Sequence, residues 1–160
     1  MYKIKNTKGV NMLFHIIVGF ILPWVLGVYL FRNQTRLFIT FYPIGVAVAS
    51  LINEIGFNYF WKLDKNFREL SLPSIPYDLG IYPILSCLFI CSIHYKKMST
   101  LITFLVFTLG TSFLELLIVL LGKLEYRDEW NIYWSAVSYL MAYLIIYGYY
   151  KLVRKFILFK

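Results

Sequence analysis

Two glutamates stand inside stretches otherwise apolar enough to cross a bilayer. Glu54 lies in "ASLINE" and Glu115 in "GTSFLE", each with a hydroxyl residue four positions earlier, Ser50 and Thr111. A charged side chain at mid-membrane costs about 2.5–3.5 kcal/mol on insertion scales. Neither acid stands alone on its helix face. Thr108, Thr111 and Ser112 precede Glu115 by seven, four and three residues, and Ala47, Ser50 and Asn58 bracket Glu54 in the same way; residues so spaced share one face of a helix. Asp78 opens a third apolar run, with Tyr82 and Ser86 following at steps of four. His15 lies near the corresponding end of the first run, and Ser135, Ser138 and Tyr139 lie early in the last.

These groups could do one of two things. They could line a polar intramembrane cavity for a small ligand, a lipid headgroup or an ion. The candidate set is then Glu54, Asp78, Glu115, His15, Tyr82, Asn58, Thr111 and Ser112, with Arg127 within reach as a counter-ion. Alternatively they form a hydrogen-bonded network that fixes helix packing, with carboxyls uncharged because low dielectric disfavours the ionised form. Interhelical hydrogen bonds in membranes average only about 0.6 kcal/mol, a weak reason to keep a costly acid. Asp78 has a further structural reading, since a carboxylate at a helix start caps free N–H groups and meets the positive dipole end. No His/Cys/Asp/Glu spacing marks a metal site, and no cofactor is implied. Cys87 and Cys91 share a helix face, but no CxxC or second pair exists to relay electrons, so they read as packing residues.

The elements that must hold these groups are membrane helices. The chain has 160 residues, 60% of them hydrophobic and 15% charged, against the ~45–50% apolar and ~25% charged of soluble domains. Mean hydropathy is +0.68. Five runs approach the ~20 residues needed to cross the hydrocarbon core: 11–31, 37–61, 79–95, 101–122 and 131–150. The alternation expected of an outer-membrane barrel is absent. The expected fold is all-α, a single polytopic transmembrane bundle over 1–160 with the lipid bilayer as its partner. The first run is too long for a cleavable signal and lacks a small-residue cleavage site, so it reads as a retained span. Pro23, Pro43 and Pro83 can each kink a span. Tyr59, Trp61, Tyr77, Trp130, Tyr133, Tyr147, Tyr149 and Tyr150 cluster near span ends as an interfacial aromatic belt.

Two segments read as surface-lying. In "FWKLDKNFREL", Phe60, Leu63, Phe67 and Leu70 recur at helical spacing opposite Lys62, Asp64, Lys65, Arg68 and Glu69, the pattern of an interfacial helix over about 60–71. The basic tail 151–160 is expected on the membrane surface. Net charge is +8, but the cations sit between apolar runs, where they set topology rather than bind nucleic acid. Five spans place Lys3, Lys5, Lys8, Lys62, Lys65, Arg68, Lys123 and Arg127 on one side. Arg32, Arg36, Lys96, Lys97, Lys151, Arg154, Lys155 and Lys160 fall on the other, eight against eight. The second group lies in shorter, more densely basic loops, which favours N-terminus out and C-terminus in.

At "YDLGIYPILSCLFICSIHYKK", "FTLGTSFLELLIVL" and "YRDEWNIYW" the chain resembles an uncharacterised family of small multi-spanning integral membrane proteins from Bacillus-like endospore-forming bacteria. The matching features are Tyr77–Asp78, Tyr82–Pro83, Leu114–Glu115, and Trp130 with Trp134. The resemblance implies a multi-pass bacterial plasma-membrane protein and no particular activity. The leading expectation is ligand, headgroup or ion binding in the intramembrane cavity. A transporter or channel component using Glu54 and Glu115 for protons or cations is the main rival, and at five spans it needs a homo-oligomer or a partner membrane protein. A structural accessory subunit, or an enzyme with paired carboxylates, complete the set. Nothing in the chain supplies a nucleophile–base constellation or a phosphate loop, so the balance leans away from an enzyme.

Overall fold

The computed structural model describes residues 7–63, 72–127 and 129–156. It is a helical bundle in which five helices are long and apolar enough to cross a membrane: Met12–Asn33, Thr35–Tyr59, Ile75–His94, Thr100–Leu120 and Ile132–Arg154. These are the five runs expected from hydropathy, with ends shifted by a few residues. The first comprises α1 (Thr7–Ile16), a π-helical turn (Ile17–Ile21) and α2 (Leu22–Asn33). The second is α3 (Thr35–Tyr59). The third joins a single turn, α4 (Ile75–Asp78), to α5 (Ile81–His94). α6 (Thr100–Leu120) and α7 (Ile132–Phe156) complete the bundle.

The third span is the axis of the bundle. Of its apolar window 61% is buried, against 17–28% for the other four. Ile84, Cys87, Phe89 and Ile90 of α5 pack against Leu37 and Phe41 of α3, Leu30 of α2, and Tyr143, Ile146 and Tyr150 of α7. Cys87 is therefore a core residue, and both cysteines are free thiols. The outer helices turn large apolar side chains outward, among them Val25, Leu101 and Leu120 at 69–74% exposure. A soluble monomer rarely shows contiguous apolar surface on this scale.

The third span breaks at Leu79–Gly80. The Leu79 carbonyl accepts from Trp24 Nε1 at 3.1 Å and Tyr42 Oη at 2.7 Å, so neighbouring spans satisfy what the break exposes. A Cβ on Gly80 would lie 2.0 Å from the Gly19 carbonyl oxygen, so only glycine admits the π-helical turn here. One of the three span prolines sits where little is lost. Pro83 is in the first turn of α5, where no internal bond is due, whereas Pro23 is the second residue of α2, after the π-helical turn. Pro43 lies inside a continuous α3.

The expected interfacial helix over 60–71 is not what its first residues form. Trp61–Leu63 is a short strand, β1, antiparallel to β2 (Leu124–Tyr126), with Trp61 opposite Tyr126, Lys62 opposite Glu125 and Leu63 opposite Leu124. The pair joins the segments that follow α3 and α6, far apart in sequence, and the chain leaves α6 abruptly. α6 ends in a Schellman motif, with Gly122 at φ +67° and N–H bonds from Gly122 to Val119 O and Lys123 to Ile118 O. Residues 64–71 of that reading lie outside the described residues. Of the tail expected on the membrane surface, residues 151–156 are helical, as the end of α7, and 157–160 lie outside the described residues.

Candidate functional site: a cavity beside Glu115

A cavity of about 250 Å³ lies at the end of the bundle that carries the β1–β2 pair. Phe14 and Val18 of the first span line it together with Leu114, Leu117 and Ile118 of α6 and Leu121 just beyond that helix. Phe57, Trp61 and Leu124 close the end under the strands. Trp61 is fixed there by Gly56, where a Cβ would come within 1.8 Å of the indole, and by Trp130, whose ring centroid is 5.2 Å away. Lys123 Nζ stands 5.7 Å over the Phe14 ring and joins the first span to the turn after α6.

The inner wall is polar, and Glu115 is its centre. Tyr126 Oη donates to Glu115 Oε1 at 2.6 Å. Tyr139 Oη donates to Oε2, and Tyr82 Oη lies 3.4 Å from Tyr139 Oη. Two elements thus meet at one carboxyl, β2 through Tyr126 and α7 through Tyr139, and α5 places Tyr82 behind Tyr139. Burial, reinforced by the bond to Glu115 and its charge, pushes the Tyr126 hydroxyl above its ordinary value, so it remains a donor at neutral pH. One helical turn away, Tyr143 and Thr111 lie 2.7 Å apart, and Thr111 Oγ1 is 2.7 Å from the Phe107 carbonyl. A threonine hydroxyl carries one proton, so Thr111 donates to Phe107 and accepts from Tyr143.

A second network backs the wall. Asn53 Nδ2 donates to Asp78 Oδ1 at 2.5 Å, and Ser74 Oγ donates to Oδ2 at 3.2 Å. Asn53 and Ser74 line the cavity, with Asp78 behind them. His15 Nδ1 and Tyr77 Oη are 2.8 Å apart, and Tyr77 also reaches the cavity. These bonds tie the first and second spans to the broken third one.

Of the eight residues expected to share a site, the structure brings Glu115, Tyr82 and Thr111 to the cavity. Asp78 and His15 are buried one layer behind. Ser112 is buried but donates to Thr108 O at 2.9 Å within its own helix. Glu54 and Asn58 must be corrected, because both are exposed on the outward face of α3, where Asn58 Nδ2 donates to Glu54 Oε1 at 3.1 Å. The buried face of α3 runs through Gly45, Ala49, Asn53 and Gly56. One residue is a 100° rotation on a helix, so Asn53 faces inward and Glu54 does not. The paired-carboxylate arrangement therefore does not form. Arg127 contributes through its backbone, donating to Phe60 O at 2.8 Å to extend the strand pairing.

Sequence reasoning passed over Asn53, Tyr126 and Trp61 as site residues, and placed Tyr77 in the interfacial belt. Tyr139 was legible as part of a polar stripe, but its bond to Glu115 was not. Among the described residues, no group of three or more His, Cys, Asp or Glu is placed to hold a metal ion. No family model, curated protein or solved structure matches this chain.

Proposed function

We propose that this chain is a multi-pass protein of the bacterial plasma membrane that binds a small, mainly apolar molecule carrying one hydrogen-bond donor, an amine or a hydroxyl. The observation that carries this reading is the carboxyl of Glu115, held by two tyrosines at the inner wall of a cavity otherwise lined mainly by apolar side chains. A carboxylate offers about four lone-pair positions. Two are taken by tyrosines, which orient the group and leave acceptor capacity for a ligand. The volume of about 250 Å³ lies just below the usual 300–1,000 Å³ of small-molecule sites, which favours a compact occupant. The outward apolar belt and the five long helices support the membrane setting. Glu54, on the outward face, has no part in the cavity, so proton or cation transport through paired acids loses its geometry.

The test is native mass spectrometry on protein gently extracted from its own membrane. Wild type and Glu54→Gln are expected to carry the same additional bound mass. Glu115→Gln swaps an acceptor oxygen for an amide donor and is expected to lower occupancy about tenfold, the equivalent of ~1.4 kcal/mol. Equal occupancy in Glu115→Gln, or bare protein in all three samples, would refute the reading.

A further inference from the structure

The outward face of α3 carries a polar stripe flanked by the exposed apolar side chains of Ile39, Leu51 and Ile55. Arg36, Pro43, Ala47, Ser50, Glu54 and Asn58 are all exposed, and their spacing in steps of three, four and seven puts them on one stripe. Arg36 and Glu54 are eighteen residues apart, five turns at 3.6 residues per turn, so they point the same way about 27 Å apart. That separation is close to the ~30 Å hydrocarbon thickness. The stripe thus has a cation at one end, an anion at the other and small residues between. Among the described residues, the Glu54 side chain bonds to the Asn58 amide and to no cation.

We propose that this stripe is the contact surface for a second copy of the chain, packed antiparallel. Turning a copy over about position 45 sets Arg36 against Glu54 at both ends of the contact and Pro43 against Ala47 near its centre. A parallel copy would set Glu54 against Glu54 and Arg36 against Arg36, a like-charge arrangement that selects against that pairing. Ala47 and Ser50 let two helices approach closely, as membrane helix pairs require in the absence of a hydrophobic driving force. The charge distribution along the chain permits this. On the five-span reading eight Lys and Arg are assigned to each side, so the count by itself imposes no orientation, and only the denser basic loops of one side favour N-terminus out. The pairing requires both orientations to enter the same membrane and supply the two halves of the dimer. The inference rests on the membrane reading above and is independent of what fills the cavity.

The test uses the full chain in native membranes, with Cys87→Ala and Cys91→Ala as background. Differently tagged copies carrying Arg36→Cys and Glu54→Cys are co-expressed and oxidised. The expected product is a disulfide-linked mixed dimer, several-fold more abundant than any product of either variant alone. Self-linking of Glu54→Cys would establish a parallel pair and overturn the proposal, as would the absence of any mixed product. Those variants remove the charges, so a second set restores them. Glu54→Arg alone is expected to lose the dimer in native mass spectra, and Glu54→Arg combined with Arg36→Glu to regain it; a combination that stays monomeric overturns the proposal. Orientation is read from Ser99→Cys with a membrane-impermeant maleimide on intact cells. About half of the chains should label, and labelling of all or none overturns the antiparallel arrangement. Fractionation of the same cells separates the two readings. A chain recovered in the soluble fraction refutes the membrane setting, whereas a membrane-embedded monomer refutes the pairing alone.

Discussion

The tyrosines around Glu115 do different work, and single hydroxyl deletions separate them. Tyr139→Phe removes the donor to Oε2 from the bundle interior, where leaving a buried polar group without its partner costs about 1–3 kcal/mol. The expected result is a lower unfolding temperature together with reduced ligand occupancy. Tyr126→Phe removes the donor to Oε1 from the strand side, and the backbone pairing of Trp61 with Tyr126 survives it. It should lower occupancy with a smaller loss of thermal stability. Unchanged occupancy in both variants would show that the hydroxyls act only as packing. The acid itself was legible from its neighbours, because Thr108, Thr111 and Ser112 mark the inward face of α6 and all three are buried. The same reasoning misplaced Glu54. A polar stripe says that a face is unusual for lipid, and it does not say whether the face turns toward the bundle or toward another chain.

At the scale of elements, glycines locate the places where the bundle has no slack. A methyl at Gly80 would meet the Gly19 carbonyl at 2.0 Å, where backbone faces backbone and neither can yield cheaply. Gly80→Ala is expected to cost at least ~1–3 kcal/mol, the range for overpacking, and to separate the π-helical turn from the third span. Gly56→Ala drives the indole of Trp61 off its seat, so it should also open the cavity floor. Gly110, in the exposed face of α6, has nothing within 4 Å of an added Cβ. Gly110→Ala is expected to be neutral or to stabilise by up to ~1 kcal/mol through helix propensity. Thermal unfolding of the three variants in nanodiscs checks the order; a Gly80→Ala protein as stable as Gly110→Ala would refute the close packing. Hydropathy made the five long helices legible, since length and apolarity are local properties. The π-helical turn, the break at Leu79–Gly80 and the three-residue strands were not legible. Each is set by what the neighbouring element presents, and a three-residue strand leaves too little pattern to outweigh the helical spacing of Phe60, Leu63, Phe67 and Leu70.

For the whole molecule, the contacts of Glu115 and Asp78 lie inside beside an apolar core, and the outer helices show apolar side chains to the surroundings. The four tryptophans provide a direct reading of this. Trp134 is 55% exposed at the start of α7, whereas Trp61 is 7% exposed between Gly56 and Trp130. Both lie toward the same end of the bundle, so they differ in accessibility to lipid more than in depth. Single-tryptophan versions, with the other three changed to Phe, would be placed in bilayers containing lipids brominated near the headgroup end of the acyl chains. Bromine quenches on contact. Trp134 is expected to lose fluorescence several-fold more than Trp61, and to recover it when unbrominated lipid replaces the quencher. On the membrane reading, a soluble quencher such as iodide should rank the two less steeply, because the outer ring would face lipid rather than water. Equal quenching of both by brominated lipid would mean that the outward apolar belt is covered by something other than acyl chains, and the membrane reading would fail with it.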